Sequence, residues 1–105
     1  MSLSVVVMPR AEADLREIAN WWATNRSSEQ AGRWLDGILE AIGSLSENPD
    51  RRPRAREDRR HRYELRELHF GLGSRATHRV IFTIRPEKVV VLTVRHLAQD
   101  DWDAV

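Results

Sequence analysis

Residues 62–96 read RYELRELHF, GLGSRAT, HRVIFTIR, PEK and VVVLTVRH, and the alternation inside this stretch decides the fold. In HRVIFTIR, Val80, Phe82 and Ile84 fall on one side and Arg79, Ile81, Thr83 and Arg85 on the other, the period of two that a strand imposes. In KVVVLTVRH, Val90, Leu92, Val94 and His96 share a face opposite Val89, Val91, Thr93 and Arg95. Pro86-Glu87 makes the tight turn between them, because proline presets the backbone angle of the first central position. With residues 62–70 ahead of a glycine-bearing loop, the stretch predicts a three-stranded antiparallel meander.

Working outward, Val5, Val6 and Val7 form a β-branched run ended by Pro9, which suits a first strand leading directly into a helix. From Pro9 to about Thr24 the residues Ala11, Leu15, Ile18, Ala19 and Trp22 keep helical spacing, with acids in the first turn where the helix dipole favours them. Ser27 followed by Gln30 is a capping-box signature, and Ala31, Trp34, Leu35, Ile38, Leu39, Ile42 and Leu45 sustain a second helix. Asn48-Pro49 stops it, since the residue before proline is pushed out of helical geometry. The short connection between the helices predicts an antiparallel hairpin. Residues 50–62, DRRPRAREDRRHR, have no apolar period and read as a loop. The tail, LAQDDWDAV, is too short for more than one helical turn or a frayed end.

Composition bounds what such a chain can do. At 105 residues, residues 1–105 make a single domain with one core. The chain is 41% hydrophobic and 31% charged, too apolar for a disordered segment and too polar for a membrane protein. No run approaches the roughly 18 apolar residues that span a bilayer, and the N-terminus lacks a secretory pattern. A cytoplasmic location is expected. The absence of cysteine excludes disulfides, thiol catalysis and cysteine-ligated zinc, and no His or acid spacing matches a metal-ligand set. Neither a metal nor a cofactor is expected.

The net charge of +1 hides a segregation. Residues 1–50 carry 4 Arg against 8 acids, and residues 51–105 carry 13 Arg or Lys against 8 acids. Eight arginines fall between Arg51 and Arg66. Such a segment can neutralise phosphates, receive an acidic protein, or pair with itself as a solvated loop. Glu57 and Asp58 within it, and the lack of interleaved aromatics, count against nucleic acid.

The order β-α-α-β-β-β, an α+β arrangement, resembles the RelE/ParE superfamily of toxins from bacterial type II toxin–antitoxin modules. The residues that carry the resemblance are Tyr63-Glu64-Leu65-Arg66-Glu67-Leu68, Thr77-His78-Arg79-Val80-Ile81-Phe82 and Lys88 to His96, together with the helix pair and its Asn48-Pro49 exit. The resemblance implies a helical hairpin packed on a twisted antiparallel sheet and a toxin, active in plasmid stabilisation and growth inhibition, that an acidic antitoxin neutralises in a hetero-oligomer. In the ParE branch the target is DNA gyrase and the toxin is not itself an enzyme. In the RelE branch it is a metal-independent endoribonuclease acting on mRNA at the ribosome, and a third outcome is an inactive, toxin-derived binding module.

For a RelE-like nuclease the resemblance nominates Arg66 and Arg79, with His78 as the proton carrier, since arginine stays charged and histidine titrates near neutrality. The chain departs from that pattern at Glu64, near Gln99, and in having no tyrosine after Arg95. A regular hairpin over residues 71–76 would set His69 opposite His78, either as an acid–base couple or as a packing pair, while His96 is expected at the core edge. For the antitoxin, the expected contacts are Arg52, Arg54, Arg56 and Arg59, with Trp102 as an anchor or as core. Trp22, Trp34 and Trp21 are expected in the core.

Overall fold

The structure is a computed structural model that describes residues 2–103. Among these, strand β1 (Ser4–Val7) leads into helix α1 (Pro9–Asn25), helix α2 (Ser28–Gly43) follows, and strands β2 (Arg66–Phe70), β3 (His78–Ile84) and β4 (Lys88–His96) complete the order. Ser27 caps α2 by accepting the Gln30 amide at 3.1 Å. Asn48, at φ 50°, takes the left-handed conformation that starts the exit ahead of Pro49. Both helices and all four strands therefore lie where the pattern places them, and no helix among the described residues is long and apolar enough to cross a membrane.

The sheet runs β1-β4-β3-β2, so the last strand in sequence is internal. The meander of β2, β3 and β4 is antiparallel as expected, while β1 joins β4 in parallel, with Ser4 opposite Lys88 and Val7 opposite Val91. The helical hairpin covers one face. Ala11 and Leu15 of α1 and Trp34, Ile38 and Ile42 of α2 pack with Leu68, Val80, Phe82, Val89, Val91 and Val94 in one apolar core. Gly37 permits a close approach of α2 to the sheet: a Cβ there would stand 2.6 Å from the Phe70 ring. At about 1 kcal/mol, a helical glycine is a small cost for seating an aromatic side chain.

The strict alternation expected for β4 is broken. Ile81 pairs with Thr93 but Phe82 pairs with Val91, so Leu92 is an extra residue, a β-bulge. The faces exchange at that point, and Val89, Val91 and Val94 all enter the helix-side core while Leu92 packs on the other side. Asp14 of α1 fixes the irregularity, accepting the Thr93 hydroxyl at 2.5 Å and the Val94 amide at 3.0 Å. A bulge adds one residue without any change in apolar pattern, which is why the sequence of valines conceals it.

The second face is also covered, by residues 50–62. Ala55, Leu65 and Ile81 form a small apolar cluster with Leu92 and Trp102 against it. The segment is not free loop: Ala55 N–H donates to Leu65 O at 2.9 Å, Glu67 N–H to Pro53 O at 3.0 Å, and Arg54 bridges Arg66, so it lies along the outer edge of β2. Two short 3-10 turns, Pro49–Arg51 and Asp58–Arg60, complete the wrap. The tail, expected as one helical turn or a frayed end, instead bonds back onto this segment through Gln99, Asp101 and Trp102; its last two positions, 104 and 105, lie outside the described residues.

Candidate functional site

The arginine segment, β2, β3 and the tail meet around one buried guanidinium. Arg79 projects from β3 away from the helices, its side chain only 1% exposed. Its Nη1 and Nη2 donate to Glu57 Oε1 and Oε2 at 2.8 and 2.5 Å, a bidentate fork, and Nη1 donates again to Glu67 Oε1 at 2.9 Å. Glu67 also meets His69 Nε2 through its other oxygen, and Glu57 Oε2 accepts the Trp102 amide at 2.6 Å. One carboxylate of the loop thus clamps the third strand and the tail together.

The electrostatics follow from this geometry. Burial pushes the Glu57 carboxyl up, but hydrogen bonds from Arg79 and from the Trp102 amide outweigh it and hold the group at about 2. The same Glu57 bonds raise Arg79 above the ordinary arginine value against the effect of burial. A buried arginine without carboxylates would be an uncompensated charge in a poorly polarisable medium; with two it is a structural element.

Arg79, nominated above as a cation for a scissile phosphate, is instead buried and paired: an apolar strand can bury an arginine when two acids reach it. Arg66 is largely covered too, 17% exposed, its Nη1 donating to Arg52 O at 2.6 Å and its Nε to Glu64 Oε1 at 2.8 Å. His78 is adjacent to Arg79 on a strand, so it faces the other way, into the helix-side core, with its ring 5.2 Å from Trp34 and 5.1 Å from His96. Burial, and then the nearby His96, hold its pKa down at about 4, so it is neutral at pH 7. The three nominated nuclease residues do not converge. The expected His69–His78 pair does not form either, because the register sets His69 opposite Arg79 and Phe70 opposite His78; the partner of His78 is His96 on β4.

The residues nominated for a partner lie together on the loop side. Arg54 pairs with Asp58 and Glu64, and Arg56 with Asp101, at 2.8 to 3.3 Å. Arg59 is exposed, Arg52 half-buried, and Arg60 holds Asp101 at 2.7 Å. Trp102 is half-buried on the small apolar cluster and stacks on His61 at 6.3 Å between centroids. Trp34 is fully buried and Trp22 packs against the core, whereas Trp21 is 51% exposed, contrary to expectation, because it lies beyond the edge of the apolar stripe. Glu57 and Glu67 escaped the sequence reading. The available signal was Arg79 itself: a guanidinium inside HRVIFTI demands carboxylates, and Glu67 is close to it across β2 and β3.

A family model described as the ParE toxin of the type II toxin–antitoxin system, parDE, matches residues 5–101. The chain belongs to this family of type II toxin–antitoxin toxins. Among solved structures, it is similar to the chromosomal ParDE toxin–antitoxin system from P. aeruginosa, at TM-score 0.73 and 19% identity, covering 90% of this chain and 96% of that one. It is also similar to the toxin–antitoxin complex RelBE2 from Mycobacterium tuberculosis, at TM-score 0.61 and 25% identity, covering 94% of this chain and 95% of that one. No curated protein sequence matches significantly.

Proposed function

We propose that this toxin acts by binding, with DNA gyrase as its target, and that it cuts no RNA; an acidic antitoxin holds it inactive. The observation that carries the reading is the burial of Arg79 between Glu57 and Glu67, with His78 turned to the opposite face. Metal-free RNA cleavage needs cations at the scissile phosphate and an acid–base group beside them. Here Arg79 is already neutralised by two carboxylates, and the candidate proton carrier His78 is neutral and packed against Trp34 on the other face. Gyrase as target comes from the ParE branch of the family resemblance, and the basic segment supports an acidic partner through charge complementarity.

Growth arrest on inducing this chain alone, and inhibition of gyrase supercoiling by the purified protein, are the expected results. Cleavage of ribosome-bound message, abolished in Arg66→Ala, would replace this reading with the endoribonuclease. Induction without any effect on growth would leave an inactive binding module.

A further inference from the structure

The two edges of the sheet are finished differently. Residues 53–55 run along the outer edge of β2, whereas β1, the opposite edge, has no strand beyond it among the described residues. The direction of its backbone groups follows from its ends. Met8 N–H donates inward to Val91 O at 3.0 Å and Leu3 N–H donates outward to Ser46 O at 2.9 Å, so by alternation Val5 and Val7 turn their N–H and C=O groups outward. Neither has a backbone partner on that side among the described residues. Exposed edges are ordinarily blunted by a charge, a proline or a bulge, and Ser4-Val5-Val6-Val7 carries none of these.

Open apolar surface collects at the same edge. Val6, Met8 and Leu39 are 38%, 40% and 44% exposed, three of the five large hydrophobic residues left open among the described residues. Leu35 and Leu39 of α2 flank Val7 in a shallow cavity of about 270 Å³, closed by Leu15, Glu12 and Arg16 of α1. The one acid and the one base cancel, so this edge has no net sign with which to select an acidic or a basic chain.

What the edge fits is a second copy of itself. Ser46 already takes the Leu3 N–H at one end, and Pro9, which has no N–H, ends the strand at the other. The open window is therefore residues 4–8, and its centre is Val6. In an antiparallel pair centred there, Val5 of each copy faces Val7 of the other and exchanges both hydrogen bonds, which satisfies every outward group of Val5 and Val7 in a single register. Val6 meets its own counterpart on the axis, and Met8 lies against Ser4 of the other copy.

We propose that β1 is a homodimer edge, two copies joining antiparallel across Val6 into one continuous sheet. Both helical hairpins then lie on the same face, and the two arginine segments stand at the far ends, free for other partners. This association depends neither on gyrase nor on the antitoxin.

Sedimentation equilibrium of the full chain tests it. The contact is short, so monomer should pass to dimer with a midpoint on the order of tens of micromolar. Val6→Lys sets like charges opposite each other at the axis and should weaken the dimer at least about tenfold. Near-UV circular dichroism of dilute samples, where both proteins are monomers, certifies the fold. Because the edge is uncharged, raising salt to about 0.5 M should leave the midpoint within about twofold. The chain has no cysteine, so Val6→Cys gives a clean crosslink: the axis brings the two Cα atoms to about 4.5 Å, within disulfide range. Trp21→Cys, at an equally open position on α1, should crosslink at least about ten times more slowly. A chain that stays monomeric at about 0.5 mM, a dimer that survives Val6→Lys, or equal crosslinking at both positions would each overturn the edge. Dissociation by salt would overturn it too, and would assign self-association to the acidic and basic halves of the chain.

Discussion

The two faces of the sheet are both buried, and they are held by different physics. On the helix side, Trp34, Ile38, Phe82 and the valines of β4 form an apolar core that releases surface from water and asks little of direction. On the loop side a small patch of Ala55, Leu65 and Ile81 lies beside a guanidinium with two carboxylates, where each bond has one geometry and each partner is indispensable to the others. The first face tolerates change in proportion to the volume lost. The second tolerates the removal of all its charges better than the removal of one.

The largest effect should separate these two behaviours. Arg79→Ala is expected to cost about 3–5 kcal/mol, because it strands two buried acids, and Phe82→Ala a similar amount through its cavity. Chemical denaturation would show both as lowered midpoints. The triple change Arg79→Met, Glu57→Leu and Glu67→Leu should then recover most of the first loss. If it is no more stable than Arg79→Ala alone, the ion cluster is not what holds that face.

Acid sharpens the comparison, since each face has its own window. Glu57 titrates at about 2 in the folded chain against 4.5 ordinarily, so its contribution is complete above pH 4.5 and disappears as pH falls toward 2. Glu57→Gln should cost about 2–3 kcal/mol at pH 7 and remove that part of the acid dependence, as read from thermal midpoints across the range. His78 titrates at about 4 against 6.5, so the unfolded chain takes up its proton first and stability falls between pH 6.5 and 4. His78→Phe, which keeps an aromatic ring against Trp34, should flatten that slope, a gain of about 1 kcal/mol near pH 5.5. A slope unchanged in His78→Phe would assign it to another group.

The smallest effects belong to the exposed arginines. Arg59→Ser should change stability by less than about 0.5 kcal/mol. The combined Arg52, Arg54, Arg56 and Arg59→Ser variant should slow association with an acidic antitoxin more than it alters dissociation, as measured across a salt titration. An association rate indifferent to both the variant and salt would remove the steering role.

The helix-side face was legible because amphipathic spacing and strand alternation both report apolar burial, and Ser27 marks where α2 begins, although α2 ends at Gly43 and a 3-10 turn over Ser44–Ser46 carries the chain to the Asn48-Pro49 exit. The loop-side face was not. Nothing periodic distinguishes Glu57, buried against Arg79, from Asp58 beside it, and composition alone presents residues 50–62 as one basic loop. The Leu92 bulge was equally silent, since in a run of valines and leucine every register looks apolar. Between β2 and β3, a difference of one residue in register separates the expected pairing of His69 with His78 from the observed one, His69 with Arg79 and Phe70 with His78.

The strand order carries a consequence for synthesis. Because β4 lies between β1 and β3, the ribosome delivers the interior of the sheet after both of its neighbours and after the helices that rest on it. Until residues 88–96 have left the exit tunnel, β1 has nothing to pair with and the hairpin has only part of its floor, so the nascent chain holds its most apolar surfaces open. Local contacts can form early, but the pairing of Ser4–Val7 with Lys88–Val91 closes a loop of almost the whole chain and must come late. A fold wired this way can join β1 to the meander only once β4 is available, and a chain that lacks β4 lacks the strand that links β1 to β3.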